Sequence, residues 1–317
     1  MPACGDGTGP GQAAERNGRL VFSSRENDPE LGRQQVFAID ADGSNKVVLI
    51  SEFADAYYVL GPRTGGTRVS FVRVNDNVFS GVYTMQVDGS QLVGPFDFSF
   101  YGDISLDGTQ MVLSTGPGSI AIGNLLTGDT TFVPTPEGRP IEPFWAPDGE
   151  SIVFTGRQDS LESGNGLYTI RSDGTAYRRL PTGRGSVDSP RWSPDGERIA
   201  FSRTAPFGGP ITLHTITPLG TDLRDVAPID CRNLPAWSPD GTALICRDFI
   251  GQSWIVDMET GELRPTDDCA MWSPDGTKVI CGDQGTYIAN VDGTERMAIF
   301  PWDVEASSVR WLSAEEE

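Results

Sequence analysis

The chain has 317 residues and a formal net charge of −20, from 24 Lys and Arg against 44 Asp and Glu, with one His. This balance excludes a protein that follows a nucleic-acid backbone, which needs stripes of Lys and Arg, and favours solubility, cations or a basic partner. No apolar run reaches the roughly 18 residues that a spanning helix requires, and 38 Gly with 23 Pro suit hairpins rather than long helices.

The N-terminus reads Met1-Pro2-Ala3-Cys4-Gly5 and continues Gly-rich to Gly18. Residues 1–18 are expected to be a flexible tether. An Ala-Cys-Gly step ahead of a tether resembles the mature start of a bacterial lipoprotein, with Cys4 as the lipid-bearing residue; the other reading is a stray exposed Cys in a disordered tail. Three short apolar segments follow, Leu20–Ser24, Gln35–Asp40 and Lys46–Ile50. Their β-branched and aromatic content at this length predicts strands. Leu60-Gly61-Pro62 and Ile104-Ser105-Leu106-Asp107-Gly108 read as weak first turns.

Then one phrase recurs four times: Trp145-Ala146-Pro147-Asp148-Gly149, Trp192-Ser193-Pro194-Asp195-Gly196, Trp237-Ser238-Pro239-Asp240-Gly241 and Trp272-Ser273-Pro274-Asp275-Gly276. Pro presets φ, Asp suits the next position and Gly accepts the left-handed conformation that closes a hairpin. Each phrase leads into an apolar strand such as Ile152-Val153-Phe154 or Ile199-Ala200-Phe201. A second Gly turn follows in every unit, at Gly43, Gly89, Gly128, Gly174, Gly220, Gly261 and Gly293. Their mean spacing of about 42 residues lies within the range of propeller blades. Each unit therefore holds four strands, A (ending in Trp) to D. The N-terminal unit supplies B, C and D alone, and Ser308–Leu312 supplies a lone A strand. Joining them closes a ring and removes the open sheet edges. The expected architecture is all-β: a seven-bladed propeller of four-stranded blades over residues 19–313, with six blades as the alternative and 314–317 as an acidic tail.

The Trp-Ser-Pro-Asp-Gly hairpin, the Ile-Ala-Phe-like strand and the second Gly turn resemble the TolB-like, WD-like β-propeller family. Four repeats match well and three match by spacing, so the resemblance covers nearly the whole chain. It implies an extracytoplasmic module that binds protein.

Cys246 and Cys281 share one position in their strands, while Cys231 and Cys269 precede their tryptophans. In a hairpin about Pro274-Asp275, Cys269 and Cys281 fall opposite each other, near enough to bridge. Cys231–Cys246 with Cys269–Cys281 is one of three pairings open to four cysteines; four buried thiols are the other reading. The spacings lack a Cys-x-x-Cys element, so these cysteines are not expected to hold zinc.

The A–B and C–D turns share one face of the disc. The opposite face carries the B–C and D–A loops, whose longer members are Arg25–Gln34, Asn75–Gly81, Arg157–Gly166 and Arg203–Pro210. Variable loops on a rigid scaffold are where binding residues concentrate. The D–A loops are expected to bring Asp55, Glu142, Asp188, Asp267, Asp268 and Glu305 to the channel mouth, with Tyr57 and Tyr101 nearby. Such a mouth holds a cation, Ca²⁺ being the candidate, or receives a basic protein or peptide; the bland alternative is a solvated acidic rim. The aspartates of the Trp phrases and of Asp40-Ala41-Asp42-Gly43 are assigned to turn chemistry. No Gly-x-Ser-x-Gly elbow occurs, and His214 sits in the expected strand Ile211–Ile216, so no Ser-His-Asp triad is expected and no cofactor is called for. The expected function is a non-catalytic binding module of the bacterial cell envelope, monomeric and docking a protein or peptide on its loop face. The alternative is a propeller enzyme, a lyase or glycoside hydrolase, that uses a carboxylate pair at the channel mouth.

Overall fold

A computed structural model describes residues 18–28, 30–60, 68–76, 78–96, 102–116, 118–136, 139–157, 164–231, 236–248, 250–282, 285–298, 300 and 309–312. These form seven antiparallel sheets, and the protein is a seven-bladed β-propeller. Blade 1 joins Arg310–Leu312 to Arg19–Ser24, Gln34–Asp40 and Val47–Ala54. Blade 2 is Ala56–Leu60, Arg68–Asn75, Val78–Gln86 and Val93–Phe96; blade 3 is Gly102–Ile104, Gln110–Ser114, Ser119–Asn124 and Thr130–Pro134. Blade 4 holds Arg139–Trp145, Ser151–Arg157, Asn165–Arg171 and Arg178–Leu180, and blade 5 holds Ser186–Trp192, Ile199–Thr204, Ile211–Ile216 and Arg224–Ala227. Blade 6 comprises Ala236–Trp237, Ala243–Arg247, Ser253–Asp257 and Leu263–Thr266. The ring closes as expected, with Leu20 opposite Trp311 and Arg19 opposite Leu312.

Among the described residues blade 7 has three strands. It holds Cys269–Trp272, Lys278–Cys281 and Tyr287–Asn290. Beyond them, Met297 exchanges both backbone hydrogen bonds with Ile288, at 2.9 and 2.7 Å. Phe300 meets the Phe22 ring of blade 1 edge-on at 5.3 Å.

The repeated phrase builds one turn again and again. In blade 7 the Ser273 hydroxyl donates to Asp275 Oδ1 (2.7 Å), the Thr277 N–H donates to the same oxygen (3.0 Å), and the Lys278 N–H donates to Ser273 Oγ (2.9 Å). Gly276 closes the turn at φ 73°, the left-handed region open to Gly. Blades 5 and 6 repeat these bonds through Ser193 and Asp195, and through Ser238 and Asp240. Blade 3 keeps them through Ser105 and Asp107 although it lacks the Trp and the Pro. The Ser238 hydroxyl, with the Thr242 backbone, holds the Asp240 carboxyl below its ordinary range.

Seven apolar clusters fill the seven seams between neighbouring blades. Met271, Ile280 and Ile288 of blade 7 pack with Leu20, Phe22 and Trp311 of blade 1, while Val112, Ile120 and Val133 of blade 3 pack with Trp145 and Phe154 of blade 4. A blade sandwiched on both faces needs apolar residues at consecutive positions. Middle strands such as Ser151–Arg157 are accordingly buried almost throughout, whereas the outer strand Val47–Ala54 is largely exposed. The tryptophans also bond across the seams: the Trp272 indole donates to the Ala236 carbonyl (3.1 Å) and Trp237 to that of Arg191 (3.4 Å).

Candidate functional site

The face opposite the Gly turns is built from the B–C loops and the D–A junctions. Asp55 is the single residue between the outer strand of blade 1 and the inner strand of blade 2. Its carboxylate accepts from the Asp76 N–H and so caps the B–C loop of blade 2.

Glu142 and Asp188 were expected in D–A loops, and the structure places both inside inner strands. The ladders of blades 4 and 5 carry bulges between Ile141 and Phe144 and between Asp188 and Arg191. Glu142 and Ser189 take positive φ there, 51° and 53°. A bulge redirects a side chain and frees a backbone donor; here Glu142 Oε2 accepts the Ser189 N–H at 2.8 Å and ties blade 4 to blade 5. Asp188 Oδ1 accepts from the Asn165 side chain at 3.3 Å.

Asp267 and Asp268 lie at the junction of blades 6 and 7. Asp267 pairs with Arg296 (2.5 Å) and accepts from the Tyr287 hydroxyl (3.3 Å). Asp268 pairs with Arg247 (3.2 Å) and accepts from Ser253 Oγ (3.0 Å). Burial, reinforced by the Asp267 charge, raises the Tyr287 hydroxyl above its ordinary pKa. Tyr57 takes a core position: it is buried in the seam between blades 1 and 2, and its hydroxyl donates to the Glu52 carbonyl at 3.0 Å. Burial raises its pKa too. Tyr101, Glu305 and Cys4 lie outside the described residues.

The carboxylates thus fall into local pairs. Glu142 and Asp188 serve the seam of blades 4 and 5, Asp267 and Asp268 that of blades 6 and 7, and Asp55 that of blades 1 and 2. Among the described residues no three His, Cys, Asp or Glu side chains gather as a metal ion requires.

Sequence reasoning missed four residues. Asp103, in the position before the degenerate first turn of blade 3, accepts the Trp145 N–H at 2.9 Å; a carboxylate in an otherwise apolar inner strand was its signal. Arg191 is buried with its guanidinium 3.3 Å from the centre of the Phe144 ring. Phe207 is fully exposed at φ 61° in the 3-10 turn Pro206–Gly208 of the blade 5 B–C loop. Ile250, at the tip of the neighbouring blade 6 loop, is exposed as well. Both tips are held firmly. The Ala205 N–H donates to the Pro210 carbonyl (3.0 Å), and Asp248 accepts from the Ile250 and Gln252 N–H groups and the Trp254 indole.

His214 is buried against Phe201, with ring centres 5.5 Å apart. Its Nε2 is 2.6 Å from Thr212 Oγ1 and its Nδ1 is 2.7 Å from Asp225 Oδ1. Burial, aided by the nearby Arg203 charge, lowers its pKa below the ordinary value.

Both expected disulfides are present, Cys231–Cys246 and Cys269–Cys281. Cys269 and Cys281 are direct partners in the strand register.

Ring closure, blade count and turn chemistry together define a propeller of the Trp-Ser-Pro-Asp-Gly type. No protein-family model matches the chain. A curated TolB homologue from Chlorobaculum tepidum is 34% identical over 121 residues, which are 36% of this chain and 27% of that protein; the chain spans about a quarter of the length of that relative. The crystal structure of TolB from Acinetobacter baumannii matches with a TM-score of 0.55 and 19% identity over 79% of this chain and 66% of that one. An oligogalacturonate lyase in complex with manganese matches with a TM-score of 0.60 and 16% identity over 89% of this chain and 85% of that one. The chain is a TolB-like β-propeller.

Proposed function

We propose that this propeller is a non-catalytic binding module that docks a protein or peptide partner on its loop face, outside the cytoplasm. Phe207 carries the reading. A non-glycine residue in the left-handed region costs roughly 1–2 kcal/mol, and a fully exposed aromatic ring gains no burial within the chain to offset it. A strained residue held by rigid surroundings marks a surface that is used, and aromatic anchors dominate protein interfaces. Two disulfides support an oxidising compartment, and the net charge of −20 favours a basic partner. The proposal includes a lipid tether at Cys4, to be checked by mass spectrometry of the envelope-isolated protein. The fold likeness to a lyase keeps an enzymatic reading available, which turnover of oligogalacturonate would reveal.

The test is a pair of loop-tip variants, Phe207→Ala and Ile250→Ala, in co-purification from a native envelope extract. Both should fold and melt as the parent does, because neither side chain is buried. Both should lose the partner that the parent retains. Equal recovery of that partner by parent and variants would refute docking through these tips.

A further inference from the structure

The two disulfides lie in different seams. Cys231 and Cys246 are 0% and 1% exposed and lie inside the apolar seam of blades 5 and 6, among Leu213, Ala227 and Leu244. Cys269 and Cys281 are 6% and 2% exposed and lie in the apolar seam of blades 6 and 7, and both also line a cavity of about 130 Å³ there. This cavity shares Arg264 and Val291 with a neighbouring one of about 550 Å³ that is bounded by the turns at Asp240 and Gly276. These two adjoining cavities make up the cleft between blades 6 and 7.

Two guanidinium groups, Arg264 and Arg296, line the same cavity as the sulfurs. Arg296 is held by Asp267 and lies over the Tyr287 ring at 5.2 Å. Asp292, which lines the same cavity, accepts from the Thr294 N–H and hydroxyl, and these bonds together with the nearby Arg264 charge hold its carboxyl below the ordinary range. A cation next to a sulfur stabilises the thiolate, which speeds its departure from a disulfide.

We propose that Cys269–Cys281 is a thiol–disulfide exchange site whose co-reactant is a small dithiol entering through the cleft between blades 6 and 7. The thiolate of that dithiol attacks one cystine sulfur and forms a mixed disulfide. The S–S bond breaks, and the other cysteine leaves as a thiolate into the cavity that the guanidinium groups also line and takes a proton from solvent. The second thiol of the reductant, deprotonated, then displaces the mixed disulfide. Two electrons pass to the cystine, leaving two cysteine thiols and an oxidised, cyclic reductant. Cys231–Cys246, sealed in its seam, stays intact.

The experiment treats the full-length oxidised protein with graded dithiothreitol, quenches with iodoacetamide and maps the alkylated peptides over time. Cys269 and Cys281 should label about tenfold faster than Cys231 and Cys246, since access and leaving-group stabilisation both set exchange rates. The double variant Arg264→Ala/Arg296→Ala should slow their labelling several-fold, with the fold checked by circular dichroism, and Arg264→Lys/Arg296→Lys should restore it. Equal rates for the two disulfides, or earlier opening of Cys231–Cys246, would overturn the proposal. An unchanged rate in the alanine pair would overturn the part assigned to the guanidinium groups.

Discussion

Blades 4 and 5 hold their inner strands in one way, and blades 6 and 7 in another. Arg139–Trp145 and Ser186–Trp192 are seven-residue strands, bulged once and cross-tied by Glu142. The inner strand of blade 7 has four residues, Cys269–Trp272, and blades 6 and 7 each carry a disulfide to the second strand. A long ladder fixes a strand through many modest bonds. Where the ladder is short, a covalent link supplies the restraint by limiting the unfolded chain. The same blade plan is thus secured by hydrogen bonds on one side of the ring and by sulfur on the other.

Four measurements would break or sharpen this contrast. The largest effect is expected from Trp272→Ala, because its side chain is almost fully buried and its indole donates to blade 6. The loss should be about 3–5 kcal/mol, and Trp192→Ala, at a half-buried position, should cost clearly less. Denaturant titration of both variants gives the comparison; equal losses would mean that the two halves do not differ in seam packing.

Next come the disulfides. Cys231→Ala/Cys246→Ala and Cys269→Ala/Cys281→Ala open links with sequence separations of 15 and 12. Each pair should lose roughly 2–3 kcal/mol by the loop-entropy account, seen as a lower denaturation midpoint. A loss below about 0.5 kcal/mol for both would remove the case that sulfur replaces the ladder.

Glu142→Ala leaves the Ser189 N–H without its acceptor in a largely buried seam, at a cost of about 1–3 kcal/mol. Glu142→Gln keeps an acceptor oxygen and should recover most of that loss, by the same thermal melts. If the Gln variant proves as unstable as the Ala variant, the negative charge rather than the hydrogen bond holds the seam.

The smallest effect concerns pH. The folded-state pKa of His214 lies below its ordinary value of 6.5. Above that value the ring is neutral in both states and its contribution is complete. As pH falls below 6.5, the unfolded chain takes up a proton before the folded one does, and stability declines. The melting temperature should therefore fall between pH 7 and pH 5 more steeply for the parent than for His214→Gln. Parallel slopes would show that His214 does not couple to folding.

Periodicity alone made the ring legible. The four Trp phrases, the recurrent second Gly turn and the split first blade specify seven units, because a short-range turn needs only the residues that build it. The cysteine pairing was legible for the same reason: Cys269 and Cys281 are related by one hairpin. Tertiary structure decided the rest. Whether Asp267 meets Arg296, whether Glu142 caps a neighbouring blade and whether Tyr57 enters a seam all depend on residues far away in sequence, or on a bulge that shifts register by one position. The Asp of a Trp phrase has its partners within two or three residues, so sequence fixes its role; a carboxylate near the channel takes its partner from the next blade, and only the closed ring brings the two together.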